Sequence, residues 1–189
     1  MRPLIIALVL LASSVQNAAA ATTVFAASVY GTSGSVAGAA NAVGAANGSV
    51  ATILRVAGGS NLLLQMTQAA SGLNTILTGT RLTAGTSVQI AIGEVIGSVA
   101  VFSANLTLPA GFGPSYALDL SALCSSVSAT GCSLIRIRVT GAPGSGFTLD
   151  GVSGVAATPE PSVWALMLLG FFGLAFRLKQ RRAPALAMA

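Results

Sequence analysis

The chain has 189 residues, 53% of them hydrophobic and 7% charged, with a formal net charge of +5 and no histidine. Of the nine basic residues, Arg2, Arg177, Lys179, Arg181 and Arg182 lie in the terminal segments; residues 22–158 carry Arg55, Arg81, Arg136 and Arg138 against Glu94, Asp119 and Asp150, four minus three, or +1. That balance excludes a nucleic-acid-binding domain, which needs a dense basic patch to displace counterions, and the missing histidine excludes a Ser-His-Asp relay.

The chain opens MRPLIIALVLLASSVQNAAAA: one positive charge at Arg2, an apolar run from Leu4 to Ala12, then small residues from Ala18 to Ala21. This is the three-part plan of a secretory signal peptide. As a helix the apolar run measures about 14 Å, too short for a bilayer core of roughly 30 Å. The expectation is a signal peptide over residues 1–21, export through the Sec machinery, and a mature chain starting at Ala21 or Thr22.

Residues 22–157 read as an ectodomain of short strands. In Ser133 to Thr140, Ile135, Ile137 and Val139 alternate with Arg136, Arg138 and Thr140, which predicts a strand with one wet face. Val88, Ile90 and Ile92 alternate in the same way. Further strands are predicted over Thr23 to Tyr30, Val50 to Val56, Asn61 to Met66, Gly97 to Ala104, Tyr116 to Leu120 and Phe147 to Val152. Turn residues punctuate them at Gly58-Gly59-Ser60, Pro109 to Pro114 and Gly141 to Gly146. Ser33 to Ser49 is rich in glycine, alanine, serine and asparagine, and its composition predicts a flexible loop. Gln65 to Gly72 reads as a single helical turn. Many short strands with such spacing predict an all-β fold, a β-sandwich or barrel.

Cys124 and Cys132 are the only cysteines, both in the serine-rich stretch LCSSVSATGC of the exported part. An oxidising compartment favours a disulfide between them. A metal pair lacks histidine to complete it, and the spacing is not Cys-x-x-Cys. Neither a metal nor a cofactor is expected. Catalytic groups are scarce: Asp119, in Leu-Asp-Leu, and Asp150, in Leu-Asp-Gly, read as exposed strand or turn residues. No catalytic residue is assigned, and the expectation is a protein that is not an enzyme.

The end of the chain is TPEPSVWALMLLGFFGLAFRLKQRR, Thr158 to Arg182. Val163 to Phe176 is an uncharged apolar run, about 21 Å long as a helix and short of a bilayer core; counting Ser162 and Leu178, with Arg177 snorkelling, brings it to the low edge of what spans. Trp164 suits the outer interface, and Arg177, Lys179, Arg181 and Arg182 follow the run, which the positive-inside rule places in the cytoplasm. Pro159 and Pro161 each fix φ and remove a donor, so Pro159-Glu160-Pro161 continues neither a strand nor a helix. It presents an extended, charged neck outside the membrane. Residues 183–189 are expected to form a disordered tail.

Pro159-Glu160-Pro161, Trp164, the run Leu166-Met167-Leu168-Leu169-Gly170, Gly173 and the basic close resemble the PEP-CTERM sorting signal of Gram-negative bacteria. The resemblance implies that exosortase, an integral-membrane cysteine transpeptidase, recognises Pro159, Glu160 and Pro161 and removes the helix. It implies a transient stay in the inner membrane, delivery to the cell surface or outside the cell, and a link with exopolysaccharide and biofilm. Thr158 departs from the valine common at that position. Ala39 to Ser49, and the stretches Ile135 to Val139 and Gly146 to Val152, are similar to parts of other exported PEP-CTERM ectodomains, which resemble jelly-roll sandwiches of the galactose-binding or discoidin type; the resemblance implies a jelly-roll-like β-sandwich. Two alternatives stay open on the residues alone. One is a carbohydrate-binding module using Tyr30, Tyr116 or Phe112; the other is a single-span anchor that is never cut.

Overall fold

The computed structural model describes residues 22–72, 74–111, 113–157 and 168–173. The predicted signal peptide, the tripeptide Pro159-Glu160-Pro161, Trp164, the basic residues Arg177, Lys179, Arg181 and Arg182, and the 183–189 tail lie outside them. Of the predicted membrane run, residues 168–173 are described and helical, with Leu168, Leu169, Phe171 and Phe172 exposed. No helix among the described residues is long and apolar enough to cross a membrane.

Ala21–Ala157 forms one compact unit. Its strands are β1 (Thr23–Ser33), β2 (Ser35–Ala37), β3 (Ala51–Leu54), β4 (Ser60–Ala70), β5 (Thr75–Arg81), β6 (Thr86–Ile96), β7 (Val99–Phe102), β8 (Leu106–Thr107), β9 (Ser115–Leu118), β10 (Cys132–Gly141) and β11 (Gly146–Val155). A 3-10 turn spans Ala39–Ala42, and the short helix α1 spans Ser121–Ser125. All strand pairs are antiparallel. In sheet I, β11 is central: β5 lies along one edge, while β3 and the start of β1 share the other. β2 flanks β3 and β9 flanks β5. Sheet II runs β1, β4, β10, β6, with β7 and β8 sharing the outer edge of β6.

β1 belongs to both sheets. Thr23 to Phe25 pair with β11, and Ala26 to Ser33 pair with β4, with register shifts between Ala26 and Ser28 and between Val29 and Gly31. Such irregularities bend a strand and let it turn a corner between sheets.

The two inner faces share one apolar core. Val24, Ile53, Leu77, Phe147, Leu149 and Val152 come from sheet I; Leu62, Leu64, Val88, Ile90, Ile92, Ile135, Ile137 and Val139 come from sheet II. The alternation read in β10 is the observed one: Ile135, Ile137 and Val139 are buried, while Arg136, Arg138 and Thr140 are half-buried on the other face. Full burial of a side chain such as Phe147 stabilises by roughly 1.5–3 kcal/mol.

The structure corrects several local readings. Gln65 to Ala70 is not a helical turn but the continuation of β4; Ala70 pairs with Cys132 in β10, and the next residue, Ser71, donates its N–H to Val155 O at 2.8 Å. Ser33 to Ser49 holds β2 and the 3-10 turn rather than a featureless loop, and Ala42 is fully buried. The strand predicted through Leu120 stops at Leu118, so Asp119 is not a strand residue. β5 is an additional strand, not among those predicted, and carries Gly79. There the glycine is a socket: a Cβ on Gly79 would meet Phe147 Cζ at 2.6 Å, so only a residue without one lets the ring lie across β5.

Candidate functional site

One candidate region is the point where the chain leaves the fold. Ala156 donates its N–H to Thr22 O at 2.8 Å, and Ala157 donates to Ala69 O at 2.8 Å. The start of the predicted mature chain and the base of the C-terminal tail are therefore neighbours. Gly131, at φ 106°, closes on this seam, since a Cβ there would meet Ala157 Cβ at 2.5 Å. Beside it the Cys124–Cys132 disulfide is formed, with Cα atoms 5.8 Å apart, and ties α1 to the first residue of β10. Both cysteines are buried. Asp119 opens α1: its Oδ1 accepts from Ser121 Oγ at 2.6 Å and from Ser121 N at 2.9 Å. These two hydrogen bonds, the hydroxyl first, hold the carboxyl below the usual carboxylate range.

Asp150 organises the glycine-rich stretch from 102 or 103 residues away. Its Oδ1 accepts from Asn47 N at 2.9 Å and Gly48 N at 3.0 Å, and its Oδ2 accepts from Gly48 N at 3.1 Å. Asn47 Oδ1 then accepts from Ser49 N at 2.8 Å, an Asx turn. Gly151, next in β11, leaves space that the loop backbone fills: a Cβ there would meet Ala46 N at 3.1 Å. The loop is thus braced by a residue that sequence reading treated as an ordinary strand or turn aspartate. The only sign in the sequence was an acid followed by glycine inside an apolar strand.

The second candidate region is the outer face of sheet II. Cross-strand register lays out three rows on it. Gln65, Leu134, Gly93 and Phe102 form one; Leu63, Arg136 and Ala91 the next; Asn61, Arg138, Gln89 and Thr107 the third. Phe102 folds over Gly93, where a Cβ would meet its ring at 2.7 Å. The Arg136 guanidinium lies over that ring, 4.6 Å from the centroid, and its Nη2 donates to Asn105 Oδ1 at 3.0 Å. Arg138 Nη2 donates to Gly58 O at 3.0 Å. The Nε atoms of both are buried without a hydrogen-bond partner among the described residues, while their Nη2 bonds lie at the surface. Burial holds the Arg136 guanidinium below the ordinary arginine value, and the positive charge of Arg138 adds to that.

Other predicted groups do not converge. Tyr30 is 42% exposed on β1, at the edge of sheet II, whereas Tyr116 packs half-buried against the core from β9 in sheet I. Phe112 lies outside the described residues. Glu94 sits on β6 opposite Val101. No group of three or more histidine, cysteine or acidic side chains suited to a metal occurs among the described residues. An open cleft lined by Thr80 to Ala84, Ala110 and Gly111 contains no carboxylate; Arg81 forms part of its wall, with Nη2 donating to Leu108 O at 3.0 Å and Pro109 O at 2.7 Å.

No curated protein matches the chain. Among solved structures, a truncated AlyQ with CBM32 and alginate lyase domains is similar with a TM-score of 0.43 and 11% identity, covering 73% of this chain and 35% of that one. The enzymatically active domain of bacteriophage CBA120 tailspike protein 4 gives 0.38 and 15% identity, covering 74% of this chain and 20% of its own. This chain thus spans about a third of the first and a fifth of the second, and likeness at this level does not bear on what it does. The C-terminal segment is more specific. Residues 157–182 match the PEP-CTERM protein-sorting motif, beginning at the residue that makes the seam's bond to Ala69. The chain thus carries a match to the PEP-CTERM protein-sorting motif over residues 157–182, directly after an all-β unit.

Proposed function

We propose that this is a non-enzymatic envelope protein delivered by its tail. The sorting motif implies an exported protein that exosortase processes. On our reading the chain leaves through the Sec machinery and is held briefly in the inner membrane with its C-terminus cytoplasmic. It is then cut beside Pro159-Glu160-Pro161 and passed to the cell surface or the extracellular matrix. There its role is tied to exopolysaccharide and biofilm.

The observation that carries this reading is where the motif starts. It begins at residue 157, while Ala156 and Ala157 make the backbone bonds that finish the sandwich. Loss of everything beyond the tripeptide removes no strand and no core residue of the ectodomain. A sorting signal placed this way is disposable by construction. The test is intact-mass measurement of the protein from the surface and medium of its native host. The expected product lacks Val163 to Phe176 and all that follows. Full-length chain recovered there would leave the uncut anchor as the better reading.

A further inference from the structure

We infer that the outer face of sheet II is a binding site for a carboxylated polysaccharide, held by Arg136 and Arg138. This goes beyond the sorting role and does not depend on whether the tail is cut.

Charge is the first ground. The two arginines are two residues apart on one strand face, about 7 Å along the strand. Each has committed one Nη to the protein, to Asn105 Oδ1 and to Gly58 O, which fixes its plane. Neither is paired with a carboxylate among the described residues: Asp119 is engaged by Ser121 and Asp150 by the Asn47–Gly48 backbone, and Glu94 faces Val101. Two positive charges held side by side repel, and an anion between them removes that cost. A guanidinium offers a planar fork that fits a carboxylate, and stacking on Phe102 presents the Arg136 fork already ordered.

The surroundings select a polyhydroxylated chain over a bare anion. Asn61, Gln65 and Gln89 share the face with the arginines, and the hydroxyls of Ser33 and Thr107 flank it. Amides both donate and accept, as sugar hydroxyls require. Gly31 and Ala91 keep the floor low. From β1 to β8 the face is about 19 Å wide at normal strand spacing, long enough for a linear polymer to lie across the strands.

The experiment uses the full chain in nonionic detergent, with retardation in gels containing polygalacturonate, dextran or poly-L-glutamate. Polygalacturonate should retard the wild type and dextran should not. The double variant R136Q/R138Q should weaken binding at least tenfold, roughly what loss of a charge-assisted hydrogen bond gives. The tail's basic residues are common to both proteins and cancel in that difference. R136K/R138K, which keeps the charge without the fork, should lose most of the binding too, whereas R55Q should behave as wild type. R138Q alone, which leaves the Arg136 stack on Phe102 in place, is measured as well, and thermal unfolding of each variant is compared with the wild type. Equal retardation of wild type and R138Q overturns the site. Equal retardation by poly-L-glutamate overturns the polysaccharide assignment. Full binding by the lysine pair reduces it to undirected charge attraction and overturns it as well.

Discussion

The tail and the ectodomain store their information differently. The sorting signal is local: tripeptide, tryptophan, apolar run and basic close lie in order within residues 157–182. The ectodomain is non-local, with Asp150 bracing Asn47, and Phe147 set into Gly79. The difference teaches that fate and stability should be separable by mutation. Changes in the tail should alter where the protein goes without touching its unfolding, and changes in the sandwich should do the reverse.

The sharpest break in that comparison is replacement of Pro159, Glu160 and Pro161 by alanine. Processing in the native host should be lost outright, read as full-length mass in the membrane fraction, with the urea midpoint of the ectodomain unchanged. Next, Phe147→Ala should cost about 3–5 kcal/mol, the range for emptying a buried phenylalanine site. Urea unfolding measures it, and whatever folds should still be processed to the same mass end. Replacing Cys124 and Cys132 together by serine should cost about 2.5 kcal/mol on the loop-entropy account. The smallest effect concerns Asp119. Its folded carboxyl titrates below the usual range, so its contribution is present above the ordinary carboxylate value and is lost as pH falls through the lower, folded value. Asp119→Asn should therefore flatten the acid side of the melting-temperature profile, below about pH 4. A tail variant that shifted the urea midpoint, or a sandwich variant that moved the cleavage point, would break the separation.

The fold was legible wherever residues alternate. β10 carries an unbroken isoleucine–arginine alternation and was readable to within a residue or so at each end. β5 was not, because Thr-Gly-Thr offers little to bury and its glycine exists for a ring on another strand. The stretch from Ser33 to Ser49 read as flexible because nothing in it shows the aspartate that braces it a hundred residues later. The disulfide was legible because the two cysteines had no other partner in the sequence. The arginine pair was legible as a wet strand face, but its shared surface with Asn61, Gln65 and Gln89 appears only once β4, β10 and β6 are placed side by side. Tyr30 and Tyr116, named for sugar contact by residue type, lie on strands of different sheets, and type does not say which sheet a strand joins.

The position of β11 has a mechanical consequence. The tail is the direct continuation of this strand, which is gripped by β1 and β3 on one side and by β5 on the other. A pull transmitted through Ala157 along the strand axis loads those ladders in shear, so many hydrogen bonds must yield together instead of peeling one by one. A sandwich pulled by this end would resist being drawn out of its own fold.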